Sequence, residues 1–248
     1  MKKTTLGTAL LAATVTASAN AESTRDLQFG LGVGAAFSES IYTGVDDHND
    51  AIPLIDLQYG NFFVKGLEAG YTLRENDRYS LVVSVAGDSL NGERDDSSAL
   101  ADMGDVDSGV NLKLSGKLNT DYGRLGLAIA QDISDEHDGT ELTFSWGQPL
   151  HFNNLAVMPT VYASWMSDDL VNHYYGVSAT QALPDRAQYE GEDGWRYGVK
   201  LAATYPLTKS WSVNGGVKAE WYGDEVTNSS IVEEDSALSG FVGVKYQF

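Results

Sequence analysis

Few side chains in this sequence could do chemistry. It contains four histidines, His48, His137, His151 and His173, and no cysteine. Asp135-Glu136-His137-Asp138 sets carboxylates beside an imidazole, the pairing that orients a histidine as the general base of a hydroxyl nucleophile. No G-x-S-x-G elbow, H-E-x-x-H pair or phosphate-cradling glycine loop accompanies it. The stretch therefore reads as a solvated polar loop. His173, next to Tyr174, also lacks a nucleophile pattern and reads as a loop hydrogen bond. The expectation is a chain with no catalytic residue and no cofactor.

Acidic clusters offer a second chemistry. Asp46, Asp47 and Asp50 form one, Asp95, Asp96, Asp102, Asp105 and Asp107 another, and Glu233, Glu234 and Asp235 a third. Carboxylate oxygens suit hard cations, but none of these runs has the alternating ligands and closing bidentate Glu of a calcium loop. They are expected to be solvated loops, and no metal site is assigned. With 16 Lys+Arg against 35 Asp+Glu the net charge is −19, which argues against nucleic acid as a partner.

The elements carrying these residues begin with an export signal. Lys2 and Lys3, the apolar run Leu6 to Val15 and the Ala19-Asn20-Ala21 motif form the three parts of a cleaved secretory leader, residues 1–21. Residues 22–248 remain as one domain, with 14 basic residues and a charge near −21. No later stretch reaches the ~20 apolar residues of a spanning helix.

From Glu22 onward the apolar signal has period two, the strand period. Leu238, Val242, Val244, Tyr246 and Phe248 share one face of the last segment, and Ser239, Lys245 and Gln247 share the other. Trp211, Val213, Val217 and Trp221 oppose Ser212, Asn214, Lys218 and Glu220, while Trp195, Tyr197, Val199, Leu201 and Tyr205 oppose Arg196, Lys200 and Thr204. Leu112, Leu114 and Leu118 oppose Lys113 and Lys117, Leu125 and Leu127 oppose Arg124, and Phe63, Leu67, Ala69, Tyr71 and Leu73 oppose Glu68 and Thr72.

These segments match the about 9–11 tilted residues that cross a bilayer as a β-strand. Trp195 with Tyr205, and Trp211 with Trp221, bracket their apolar stripes as an aromatic girdle does. The fold expected is all-β: a closed antiparallel up-and-down transmembrane barrel whose basic face lines a wet lumen. The inward charges would be Lys113, Lys117, Arg124, Arg196, Lys200, Lys218, Glu220 and Lys245, with Asp56, Glu68 and Glu141 as further acids. They could form a plugging salt-bridge network or, as the other alternative, an anion-attracting channel.

Eleven strands are legible, whereas single-chain bacterial barrels have even counts. Either Tyr174 to Gln181 is a further strand, or 50–73 holds three passes. The second choice keeps the long acidic loops 38–50, 88–105, 132–138, 167–193 and 223–235 on one side. It gives about 12 strands, with 10 as the rival. Val242, Val244, Tyr246 and Phe248 would then face lipid and carry the terminal signal read by the barrel-assembly machinery.

Several stretches resemble the MipA/OmpV family of MltA-interacting outer-membrane proteins. They are GVGAAFSESIYTG at 32–44 with Pro53, ERDDSSALADMGDVDSG at 93–109, YYGVSATQA at 174–182 with Tyr189, Tyr205-Pro206-Leu207 with Trp211, Gly223-Asp224, and the closing GVKYQF. Ser229-Ser230-Ile231-Val232 departs from the family's Ser-Pro at that point, implying a more flexible loop. The resemblance implies an outer-membrane barrel of a Gram-negative bacterium, set among lipid and lipopolysaccharide. It also implies a scaffold joining a murein-cutting lytic transglycosylase to a murein synthase. Other family members suggest a passive small-solute pore or a surface adhesin or antigen.

Overall fold

The structure, a computed structural model, describes residues 27–94 and 97–248; the leader read over 1–21 lies outside the described residues. Twelve staves form one closed antiparallel wall. In chain order the strands are β1 (Leu27–Ser38), β2 (His48–Tyr59), β3 (Phe62–Lys65), β4 (Glu68–Glu75), β5 (Tyr79–Gly87), β6 (Val110–Thr120) and β7 (Gly123–Asp132). They continue with β8 (Thr140–Gly147), β9 (Leu150–Phe152), β10 (Leu155–Met166), β11 (Gly194–Pro206), β12 (Trp211–Tyr222) and β13 (Ser236–Gln247). Strands pair with their neighbours in sequence, except that β8 and β9 both pair with β10, and β1 pairs with β13 to close the wall. β8 and β9 keep one register against β10, Thr160 opposite Gly147 and Leu155 opposite Phe152. Gln148-Pro149 interrupts that single stave, because proline supplies no donor to a ladder.

The even count comes from three passes between His48 and Glu75, one of the two alternatives the sequence left open. Gly66 and Leu67 turn the chain in mid-wall, so β3 is four residues long. This turn resets the alternation. Phe63 points inward, where its ring lies 2.5 Å from the Cβ that Gly70 lacks, contrary to its expected place beside Leu67 on the outer face. Lys65 is thereby an inward charge that a continuous alternation misses. Above the turn, His48–Ile55 of β2 has no strand beside it on that side among the described residues. Pro53 sits on this open edge, where a missing N–H is tolerated.

The barrel wall has no dry middle. Val33, Leu112, Leu127 and Val242 are 66%, 46%, 49% and 58% exposed on the outer face, which excludes two stacked sheets with interlocked apolar side chains. The buried apolar core lies instead in a cap built by the long loops at one end. Ile41, Leu90, Leu100, Leu170, Val226 and Ile231 pack there with Tyr42, Tyr174 and Tyr175.

The segment offered as a further strand, Tyr174 to Gln181, enters this cap in helix α1 (Asp168–Tyr175). Ser167 caps its N-terminus by accepting the Leu170 N–H, and Asp168 and Asp169 occupy the first turn, both favourable to a helix start. A short second helix, α2 (Asp224–Thr227), supports it from the β12–β13 loop. The opposite end of the barrel carries short turns at 60–61, 76–78, 121–122, 153–154 and 207–210.

Candidate functional site

Twelve tilted staves leave a lumen, and alternation sends every second side chain into it. Gly, Ala and Ser dominate its wall, so the long inward side chains meet across it. Arg196 of β11 is the centre: its guanidinium donates to Glu141 of β8 at 2.6 Å, to Glu220 of β12 at 3.1 Å and to Ser89 at 2.6 Å. Ser89 donates in turn to Glu141 at 2.7 Å. Lys218 and the Tyr162 hydroxyl both bond Glu220. Arg196 and Glu220 are 3% and 4% exposed, so the network is buried on the β8–β12 side of the lumen and tied through Ser89 to a loop of the cap.

Toward the turn end the balance of charge changes. Lys245 donates to Asp56 at 2.6 Å, and Lys113 stands 4.0 Å from Glu68. Lys200 lies directly opposite Lys218 in the β11–β12 register. Arg124 donates to the side-chain oxygen of Asn119 at 2.8 Å, and Lys117 lies opposite Gly126 on the lumenal face.

Between the network and β2 lies a cavity of about 120 Å³. Ile52, Leu54, Leu90 and Phe241 give it apolar walls, with Lys218 and Lys245 at its side. Leu54 reaches over the β1–β13 seam, where a Cβ on Gly243 would lie 2.7 Å from its methyl group. The seam needs glycine at that close approach.

The cap is held by a buried polar constellation. Asp88 accepts from the Tyr174 hydroxyl at 2.7 Å, the Gly109 N–H at 2.6 Å and the Asn111 side chain at 2.5 Å. His137 Nε2 lies 3.1 Å from the same carboxylate. His137 Nδ1 accepts the Gly139 N–H at 2.9 Å, so Nε2 carries the proton and donates to Asp88. His137 is 8% exposed, which corrects the solvated-loop reading; its carboxylate partner lies 49 residues away. His173 makes a loop hydrogen bond, to the Asp107 carbonyl at 2.9 Å.

Burial works to raise the Asp88 carboxyl, but the hydrogen bonds from His137, Tyr174 and Asn111 outweigh it and hold it at about 2. Burial and the adjacent carboxylate push the Tyr174 phenol up, keeping it a donor. Every Asp88 acceptor direction is thus occupied by a donor, and both ring nitrogens of His137 are engaged: this is a staple for the cap. Because the folded carboxyl lies below its ordinary value of 3.8, its stabilisation is complete above about pH 4 and is lost as pH falls toward 2. Hydrogen exchange of 88–109 and 167–193 should accelerate across that interval. Asp88→Asn should remove the acid-dependent step and accelerate exchange already at neutral pH.

Other ties link the loops. Arg186 grips Asp102 through two bonds, 2.9 and 2.6 Å, and donates to the Ala99 carbonyl at 2.8 Å. Tyr42 donates to the Tyr174 carbonyl at 3.0 Å, and Ser229 to the Tyr175 carbonyl at 2.6 Å. The Ser229-Ser230-Ile231-Val232 loop, expected to be flexible, is therefore pinned, with Ile231 fully buried. Among the described residues no group of three or more His, Asp or Glu is placed to hold a metal ion.

Trp195 and Trp221 sit at the capped end of their strands, and Tyr205 and Trp211 at the turn end, all half-exposed on the outer face. Val242 and Val244 share that face with them. Tyr246 packs edge-on against Trp211 at 4.9 Å and Phe248 at 4.8 Å, and Phe248 stacks on Phe29 across the seam at 5.5 Å.

Residues 31–248 match the family model described as MltA-interacting protein MipA. The MltA-interacting protein of Escherichia coli K12 is 29% identical over 89% of this chain and 90% of its own length. The outer membrane protein OmpV of Vibrio cholerae is 24% identical over 91% of this chain and 88% of its own. Among solved structures, the COG4313 outer membrane channel from Pseudomonas putida F1 aligns at 15% identity over 93% of this chain and 99% of that one, with a TM-score of 0.40. With its closed antiparallel barrel and a family match over nearly all the described residues, this chain belongs to the MltA-interacting protein MipA family and resides in the Gram-negative outer membrane.

Proposed function

We propose that this protein is a non-catalytic scaffold, capped end outward, whose periplasmic turn end docks a murein-cutting lytic transglycosylase and couples it to a murein synthase. The observation that carries this reading is the loop end of the barrel: an Arg196-centred network is buried there under a packed loop cap, whereas short turns border the opposite end. The name of the Escherichia coli relative, MltA-interacting protein, supports the same partner class. Both ring nitrogens of His137 are engaged, by Asp88 and the Gly139 N–H, which supports a structural role for this histidine. Immobilised mature barrel in uncharged detergent should bind the purified lytic transglycosylase of its own organism saturably. No binding at micromolar concentration would remove the scaffold. Steady single-channel steps in planar bilayers would favour the passive pore in its place.

The outer apolar belt is proposed to lie in lipid and lipopolysaccharide, with Trp195, Tyr205, Trp211 and Trp221 at its two borders. The β13 outer face, Val242, Val244, Tyr246 and Phe248, is proposed to engage the barrel-assembly machinery. Phe248 also closes the seam against Phe29. Phe248→Ala should slow assembly and leave protease-sensitive chain in the periplasm. An unchanged outer-membrane yield in pulse-chase fractionation would contradict that role.

A further inference from the structure

We infer that the turn-end half of the lumen is a binding vestibule for small oxyanions carrying more than one negative charge, entered from the turn end. Its basis is an inversion of sign. The whole chain has net charge −19, yet Lys65, Lys117, Arg124 and Lys200 all face the lumen with no carboxylate within 4.0 Å among the described residues. Lys65 lies opposite Asp56 and Glu68 in the register, and these carboxylates are approached by Lys245 and Lys113. Lys200 feels Lys218, Lys113 and Lys117 more strongly than Glu220, and Lys117 feels Arg124 and Lys65 more strongly than Glu68. Like charges opposed across a sheet destabilise it, and ionisable groups enclosed at membrane depth are expensive unless they serve a function. A chain with 35 acids has paired Arg196 and Lys245 but leaves these four without an ion pair among the described residues.

Space and access agree with a ligand site. Ser115, Gly126, Ala128 and Ser145 line the neighbouring wall with small side chains, and Lys117 is exposed to the lumen. The cap, tied to the Arg196 network, covers one end, whereas among the described residues only short turns border the other. Four cations on four separate strands, β3, β6, β7 and β11, suit a ligand presenting two or more anionic groups. The same chemistry is offered by polycarboxylates and by phosphates. This inference stands whether or not a murein enzyme docks at the turn end.

Calorimetric titration of the mature chain in uncharged maltoside micelles tests it, with citrate and pyrophosphate as the two probes and acetate as the monovalent control. Saturable binding of citrate or pyrophosphate at low salt, weakening as ionic strength rises, is expected; which probe binds separates a carboxylate from a phosphate source. Lys117→Gln/Lys200→Gln should weaken that binding about tenfold or more, while Lys209→Gln, on the turn between β11 and β12, should leave it unchanged. The single variant Lys117→Gln should weaken it about threefold and serves if the double variant does not fold. No saturable binding of either probe, or equal affinity in a folded Lys117 variant, would overturn the vestibule.

Discussion

Arg196→Ala is expected to lower the stability of the folded barrel by about 3–5 kcal/mol, the usual result of removing one partner from a buried charge cluster. The arginine contacts Glu141 at 2.6 Å and Glu220 at 3.1 Å. Truncation would leave Glu141 with the hydroxyls of Ser89 and Thr143, and Glu220 with Lys218 and Tyr162. The penalty arises from stranded carboxylates more than from lost attraction, since the desolvation of a charge is large and its compensation local. Equilibrium unfolding in urea, followed by tryptophan fluorescence in one fixed lipid or detergent, measures it. Arg196→Ala/Glu141→Gln should recover part of the loss by removing one stranded charge. A change below about 1 kcal/mol for Arg196→Ala would place it among weak surface pairs and overturn the buried cluster.

Tyr174→Ala should open the cap while leaving the wall folded. The ring is fully buried among Tyr42, Tyr175 and Leu170, and its hydroxyl bonds Asp88 at 2.7 Å. Truncating a buried aromatic costs about 3–5 kcal/mol, and here the loss falls on loops that depend on mutual packing. Amide protection in 167–193 and 223–235 should fall roughly 100-fold or more, while β6, β7 and β11 keep theirs. Tyr174→Phe should show a smaller effect, because the core volume is retained and only the hydroxyl bond to Asp88 is lost. Uniform loss of protection across the strands would show that cap and wall unfold as one unit.

The two substitutions act on successive layers at one end of the barrel. Arg196 gathers the buried network on one side of the lumen, and Tyr174 holds the loops over its end. The scaffold reading needs both layers intact. A barrel that conducted only after both were broken would support that reading.

The strands were legible from local sequence because their two faces meet different surroundings. Alternation of Leu112, Leu114 and Leu118 with Lys113 and Lys117 reports that difference residue by residue, without reference to any distant partner. The family resemblance pointed to the same barrel. The alternation failed where the chain turned unexpectedly: Gly66 and Leu67 reset the phase, and Phe63 and Lys65 changed faces. Helix α1 had a readable start in Ser167-Asp168-Asp169 and helical spacing in Leu170, Val171 and Tyr174, but its place within a loop obscured it.

What the sequence determined by itself was therefore the barrel and the two-sided character of its strands. Only the tertiary structure decided which charges are paired and what covers the lumen. Asp88 meets His137 across 49 residues and Tyr174 across 86, and Arg196 meets Ser89 across 107. A strand's period records which solvent each face sees. It carries no record of which loop side chains share one buried volume, because that pairing exists only after the wall closes and brings the loop ends together.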